Sequence, residues 1–537
     1  MQRSEPALDR PGDHCSTVKW APSPTRLAKQ GTATQQHVKI TTGAFPSQDV
    51  VEAPANSIET ALEKLPGIIE ENLKRTKIPG MAVAVVHAGK TVFAQGYGVK
   101  KLGGTAAIDA QTVFQIASLS KPVGATVVAS QVSNGALSWE TPISALLPGF
   151  ALNDPYISGT LTVGDLYSHR SGLPKAAGDS LEDIGHDRST VLRRLALVPL
   201  QPFRSSYNYS NFGLTAAAEA VAQQAGLPWV ELSQRELYTP LGMDSTSSTH
   251  AGFLARANRA ALHAKTATGF AALFERNADA QSPAGGVSSN VEDLAKWMAL
   301  ILGQGTLQGQ DFIKPEALLP AVTAHMIAAH SSSADDRASH YGYGFGVGTQ
   351  PGGRVSLSHS GAFLLGAGTC TSLIPSLDVG IVVLTNAGPI GAAEAVGAEF
   401  LDCAQFGAVR RDWVADYGMA MAGYFAPEGD LAGAAAPSRP APSDSLEGLA
   451  GKYANAYHGP ASVQLDAGKL TVSLGPEGNY ALPLRHWDAN VFSFVPTGEN
   501  APEGSLSSAA FGVGAGGSTT LRLEFFDSLG LGTWVRS

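Results

Sequence analysis

The alternation of apolar and polar positions divides the chain into zones of different character. Residues 1 to 55 are polar, rich in Pro, Thr, Gln and Ser, and carry no apolar period, so a poorly ordered leader is expected there. From Ser57 the apolar residues Ala61, Leu62, Leu65, Ile68 and Ile69 recur at helical spacing, which predicts a helix. The unbroken apolar run Met81–Val86, the turn at His87–Lys90 and the segment Thr91–Gly98 predict a β-hairpin. Helical patches broken by Gly and Pro follow from about 112 to 345. Strand patterns then return at Arg354–Gly361, Thr369–Pro375 and Val379–Asn386. Strands at both ends with helices between them predict one sheet assembled from sequence-distant pieces, within a domain spanning 56–425. An Ala/Pro/Ser/Gly-rich stretch, 426–446, reads as a linker. Beyond it, over 447–537, short strand-like runs separated by turns predict a small all-β barrel or sandwich, with Trp487 and Trp534 in its core.

Composition narrows the function class. The 37 Lys and Arg against 46 Asp and Glu give a net charge of −9, so no basic stripe for nucleic acid is expected. No apolar run approaches the roughly 18 residues of a membrane span, and a soluble protein with no membrane partner is expected. The first twenty residues contain no apolar segment of the kind a secretory signal carries, which leads to the expectation of a cytoplasmic protein, or a periplasmic one if the true start differs. Cys15, Cys370 and Cys403 are far apart, which argues for isolated thiols, buried at 370 and 403, rather than a disulfide framework or zinc site.

Several matches to known motifs fail on context. Gly512-x-Gly514-x-x-Gly517 precedes a strand pattern, whereas a dinucleotide fingerprint follows a strand and opens a helix. No HExxH and no GxSxG occur. What remains is Ser118-x-x-Lys121, which opens an apolar helical run. A serine there lies where free N–H groups favour developing negative charge, and a lysine three residues on shares its face. A hydroxyl attacks only when a base takes its proton, and a desolvated lysine can serve. Tyr209-x-Asn211 adds a phenol able to relay a proton and an amide able to hold a carbonyl. His359-Ser360-Gly361 adds a strand position where glycine admits close approach. Each tripeptide has a decoy, in Ser16-x-x-Lys19, Tyr453-x-Asn455 and His87-x-Gly89, but only Ser118, Tyr209 and His359 fall in order within one domain.

With these elements the chain resembles the serine β-lactamase and penicillin-binding-protein superfamily, in its class C β-lactamase-like branch. The segments Pro79–Gly98, Leu161–Pro174, Thr239–Met243, Pro283–Met298 and Ile381–Asn386 stand in the order that branch shows. The C-terminal part resembles the lipocalin-like barrel appended to some of its peptidases. The resemblance implies an α/β (α+β) fold: a mainly antiparallel sheet flanked by helices plus an all-helical region, followed by a small all-β lipocalin-like barrel. It also implies roles. Ser118 would be the nucleophile of an acyl-enzyme, with Lys121 and Tyr209 sharing base and acid duties in an order left open. Asn211, His359, Ser360, Gly361 and Ala362 would bind substrate, the N–H groups of Ser118 and Ala362 forming an oxyanion hole. Asp165, His169 and Arg170 are read as structural.

The third motif departs from the Lys-Thr/Ser-Gly of β-lactamases. A histidine near neutrality holds an anion less firmly than an ammonium. His-Ser-Gly is common among the branch's peptidases, D-amino-acid amidases and esterases. The expected activity is therefore a serine peptidase or amidohydrolase on short linear peptides with D- or non-standard residues, linearised cyclic-peptide toxins such as linear microcystin among them. A carboxylesterase is the alternative, and a β-lactamase or penicillin-binding sensor the third reading. No cofactor or metal is implied, and the barrel suggests a homo-oligomer.

Overall fold

The computed structural model describes residues 52–537. The leader expected over 1–55, with Cys15 and the Ser16/Lys19 decoy, lies outside the described residues except for its end. Eight strands form an antiparallel sheet: β1 (Gly80–His87), β2 (Lys90–Gly98), β3 (Met326–Ala329), β4 (Ser339–Tyr341), β5 (Gly346–Thr349), β6 (Val355–Phe363), β7 (Ala367–Ile374) and β8 (Val379–Thr385). Their order is β2-β1-β8-β7-β6-β5-β4-β3, so the N-terminal hairpin is stitched beside the last strand, with Val83 opposite Val383. The sheet predicted from distant pieces is thus present.

The period of two explains why Met81–Val86 is apolar without interruption. Met81, Val83 and Val85 face one core, shared with α1 (Ser57–Thr76) and a helix at Ala392–Phe406. Ala82, Ala84 and Val86 face the other, larger core. A strand covered on both faces has no polar side to show. The larger core holds α2 (Ser120–Ser133), α3 (Asn211–Ala225) and α4 (Val291–Leu302). Helix α2 is buried nearly all round, so its lack of an amphipathic stripe reflects a central position.

Nine further strands, Gly451–Ala454 through Thr533–Arg536, form a nearly closed antiparallel barrel. The two strands at the ends of its order, Tyr480–Pro483 and Arg485–Asp488, are successive in the chain. This matches the lipocalin-like expectation. Trp534 fills its core, but Trp487 does not: it is half-buried, because only alternate positions of Arg485–Asp488 can face inward. Gly512–Gly517 forms the end of one barrel strand and the turn to the next, not a nucleotide loop. The segment 426–446 has no regular element in most of its length, yet it is tied to the barrel. Glu428 N–H donates to Ser505 Oγ at 2.9 Å and Ser508 N–H to Asp430 Oδ1 at 2.9 Å.

The barrel and the sheet domain exchange side chains. Ile184, from the helical region, belongs to the barrel's apolar core, while Tyr457 of the barrel belongs to the larger hydrolase-side core. Ile184→Ala should lower stability by about 3 kcal/mol, the usual cost of truncating a buried aliphatic chain. Chemical denaturation followed by Trp fluorescence checks this. Both cysteines among the described residues, Cys370 and Cys403, are free and buried.

Candidate active site

Ser118 lies in a short 3-10 turn, Ala117–Leu119, that runs directly into α2. The turn is strained: Ala117 has φ 48, a left-handed conformation uncommon for a residue with a side chain. It presents Ser118 half-exposed, while the next residues plunge into the core. Lys121, one helical turn on, is fully buried. Its Nζ lies 3.0 Å from Ser118 Oγ, 2.8 Å from Asn211 Oδ1 and 2.8 Å from the Ala284 carbonyl. As the free amine it donates to Asn211 and Ala284, leaving its lone pair to accept the Ser118 hydroxyl proton.

The second motif is built around a helix cap. Ser210 caps α3, its Oγ accepting from Gly213 N–H at 3.0 Å. The cap holds Tyr209 and Asn211 on either side of it against the same cluster. Lys121 Nζ sits 4.5 Å from the centre of the Tyr209 ring. The Tyr209 phenol also interacts with the Ser118 hydroxyl.

The third motif lies on β6. Its ladder to β7 runs through Phe363, but its ladder to β5 ends at Ser358, so one edge is unpaired by β5 over 359–363. At Gly361 the strand presses on the nucleophile's turn. A Cβ there would lie 2.3 Å from the Ile116 carbonyl and 3.0 Å from Ser118 N, so only glycine fits. Ala362 follows, half-buried. His359 is buried on the same face. Its Nδ1–H donates to the Ser360 carbonyl at 2.7 Å and its Nε2 accepts from the Tyr341 hydroxyl at 2.8 Å. Both ring nitrogens are committed, which fixes one neutral tautomer.

Ser360 departs from the expectation. Strand alternation turns its side chain to the opposite face from His359 and Gly361, where it interacts with Glu394 and Cys370 instead of the Ser118 cluster. It lines a separate cleft of about 280 Å³ with Glu394, Tyr417 and Met421. Ser118, Lys121, Tyr209, Asn211, His359 and Gly361 are therefore brought together, and the Ser360 side chain is not; Ala362 follows Gly361 on the strand with its side chain on the Ser360 face.

Asp165 and Arg170 are structural, in line with the expectation. Asp165 caps its own helix and pairs with Arg170 at 2.7 Å and Arg204 at 2.8 Å. His169 is closer to the chemistry than expected. Its ring lies 4.5 Å from that of Tyr209, and its Nδ1 accepts from Ser210 N–H at 3.2 Å. With Tyr207 and Tyr341 it walls the site in aromatic rings.

One further residue enters that no motif marked. Asn211 Nδ2 donates to Asp179 Oδ2 at 3.1 Å, so a chain runs Lys121–Asn211–Asp179. Asp179 Oδ1 has no hydrogen-bond partner among the described residues. Only tertiary packing places it there.

Burial dominates the electrostatics. It lowers the Lys121 ammonium to about 7, against the upward pull of Asp179. It raises Asp179 to about 8, helped by Glu182 and Asp183. It holds the Tyr209 phenol well above 10 and depresses His359 to about 3, with Lys121 adding to the latter. Near neutrality the site thus offers an amine able to accept a proton, a protonated phenol and a neutral imidazole. Among the described residues no group of three or more His, Cys, Asp or Glu side chains is arranged to hold a metal ion. Among the same residues no helix is long and apolar enough to cross a membrane.

Known proteins resemble both parts of the chain. The family model described as Beta-lactamase matches residues 65–405, and one described as a domain of unknown function, DUF3471, matches residues 435–527. The chain is 28% identical over 336 residues to the Unguisins hydrolase ungD' of Aspergillus campestris, covering 59% of this chain and 60% of that protein. It is 28% identical over 265 residues to the Unguisins hydrolase ungD of Aspergillus violaceofuscus, covering 44% of each. The chain thus spans about three-fifths and less than half of these two relatives' lengths. It is 23% identical to the D-alanyl-D-alanine-carboxypeptidase/endopeptidase AmpH of Escherichia coli K12, covering 58% of this chain and 80% of that protein. Among solved structures, the octameric penicillin-binding protein homologue from Pyrococcus abyssi aligns with a TM-score of 0.55 at 17% identity, covering 88% of this chain and 100% of that one. A class C β-lactamase from Rhodobacter sphaeroides aligns with a TM-score of 0.50 at 22% identity, covering 64% and 98%. These two likenesses bear on the fold alone.

Proposed function

The chain belongs to the β-lactamase family of serine hydrolases, and from that premise we propose that it is a peptidase or amidohydrolase acting on short linear peptides through an acyl-enzyme on Ser118. The observation that carries this reading is the buried Lys121 amine 3.0 Å from Ser118 Oγ. Lys121 takes the Ser118 proton as Oγ attacks the substrate carbonyl. The oxyanion is held by the N–H groups of Ser118 and Ala362, beside Gly361. Asn211 orients the substrate amide and the lysine together. As the tetrahedral adduct collapses, the C–N bond breaks and the amine leaves with a proton from Tyr209, which is replenished from Lys121. Water then attacks the acyl-enzyme, its proton passing back through Lys121 to Ser118, and the acid product departs.

One feature favours an amide over an ester, and a second disfavours a β-lactam. An amine must be protonated to leave, and burial keeps the Tyr209 phenol protonated for that purpose. His359 is neutral and bonded at both nitrogens, so it supplies no ammonium to hold a β-lactam carboxylate. The named activity of one relative, D-alanyl-D-alanine carboxypeptidase/endopeptidase action, supports D-residue-containing peptides as the first substrates to try.

The test is mass spectrometry of a pool of short linear and D-residue-containing peptides after incubation with wild-type and Ser118→Ala protein. Cleavage by wild type alone supports the peptidase. Hydrolysis of a nitrophenyl ester without peptide cleavage would replace it with the carboxylesterase.

A pH dependence follows. Because the active form carries neutral Lys121, kcat/KM should rise as pH increases through about 7. The groups facing Lys121 include Asp179 behind Asn211, with Glu182 and Asp183 beyond it, and Tyr209, His169 and His359. Burial keeps Asp179 mostly protonated below about 8, so Asp179→Asn should leave this rising limb close to its wild-type position, read from kcat/KM profiles of the two proteins.

A further inference from the structure

The barrel reaches the active site from two sides. Its loop around 496–503 carries Glu499, whose Oε1 accepts Leu364 N–H at 2.7 Å. The same carboxylate also accepts from Leu365 N–H. Leu364 and Leu365 form the turn between β6 and β7, two residues beyond Ala362. The next barrel residue, Asn500, donates through Nδ2 to Asp183 Oδ2 at 2.7 Å, and Glu503 accepts Ala267 N–H at 3.1 Å.

On the other side, Tyr457 is buried with its hydroxyl accepting Gly178 N–H at 3.0 Å. Gly178 has φ 96 and opens the short helix whose first residue is Asp179. His458 reinforces this contact through Ser180 at 3.2 Å. Arg276 joins the two sides, pairing with Glu182 at 2.5 Å and lying in the field of Glu499 and Asp183.

We propose that the C-terminal barrel is a working part of the active site: Glu499 positions the β6–β7 turn, and with it the Ala362 N–H, while Tyr457 positions the turn that presents Asp179 to Asn211. Both are positioning residues, since neither touches the reacting atoms. The proposal rests on the reading of Ser118 as nucleophile and gives the segment matched by a domain of unknown function a role in catalysis.

Within the sheet β6 is tied to the nucleophile's turn at Gly361 and through Thr369, which donates to the Ile116 carbonyl at 2.9 Å, but its β5 edge is unpaired over 359–363 and the turn beyond Phe363 projects from the ladder. A carboxyl group accepting two successive N–H groups constrains that turn; burial pushes its titration up to about 8, against the downward pull of Arg276. An oxyanion-hole donor contributes only when its N–H is aimed at the developing charge, so a small shift of the turn is felt in turnover more than in substrate binding.

The experiment uses the full chain with Glu499→Ala, Glu499→Gln and Tyr457→Phe. Glu499→Ala should lower kcat roughly 100-fold, the scale of a 1 Å misplacement, while KM for a small nitrophenyl ester stays within about threefold. Glu499→Gln keeps an acceptor oxygen and should recover most of that loss. Amide hydrogen exchange, read on the same proteins, is independent of turnover. Exchange should speed up over 361–367 in Glu499→Ala and over 176–181 in Tyr457→Phe, each relative to wild type. Unchanged exchange in those segments would overturn the proposal, and so would a Glu499→Ala protein with kcat within twofold of wild type. A protein in which Ser118→Ala retains turnover while Glu499→Ala still loosens 361–367 would instead overturn the nucleophile assignment and leave the positioning intact.

Discussion

Ser118→Ala is expected to lower kcat on every substrate by about 10,000-fold or more, the loss typical when an acyl-enzyme nucleophile is removed. The fold should be undisturbed. Ser118 is half-exposed in its 3-10 turn, and its hydroxyl bonds only within the catalytic cluster. Removing it leaves Lys121 two acceptors, Asn211 and Ala284, so the buried amine is not stranded. Thermal unfolding should therefore coincide with wild type, and initial rates on a peptide and an ester substrate should fall together. A loss confined to one substrate class would mean that a second nucleophile serves the other.

Lys121→Met carries the next largest effect. Methionine matches the length and apolar stem of the buried lysine and removes its amine. General-base catalysis is worth about 100- to 10,000-fold, and here the base also relays the proton in deacylation, so a kcat loss near the upper end is expected. The rise of kcat/KM through about pH 7 should vanish with it, because the group responsible is gone. Removing the amine leaves Asn211 Oδ1 and the Ala284 carbonyl without its N–H donors, so a stability loss of about 1–3 kcal/mol is expected beside the kinetic one. Steady-state rates across pH, with a thermal melt alongside, separate this from unfolding.

Much of this site is legible in the amino-acid sequence, because the chemistry sits at motif spacings that local structure enforces. Three residues on a helix put Lys121 over Ser118, and a cap at Ser210 leaves Tyr209 and Asn211 flanking it. Order along the chain excludes the decoys. Ser360 is the exception, although the pattern carries the information: on a strand, neighbours of His359 face the other way, so a contiguous tripeptide cannot all line one cleft. Asp179 and Glu499 are not legible at all. Asp179 meets Asn211 across 32 positions and Glu499 meets Leu364 across 135, and no periodicity reports such contacts. The alternating cores on either side of Met81–Val86 are likewise hidden in a run that reads simply as apolar. In the barrel, strands such as Gly451–Ala454 and Arg485–Asp488 are too short and polar to announce themselves, and closure of the sheet supplies the pairing that makes them strands.

The most direct measurement is the intact mass of wild-type protein quenched in acid during turnover of a slow nitrophenyl ester, followed by peptide mapping. A transient adduct equal to the acyl group is expected, located on Ser118 and missing from the Ser118→Ala protein. Turnover with no adduct on a time scale where Lys121→Met accumulates none either, or an adduct on any other residue, would contradict it.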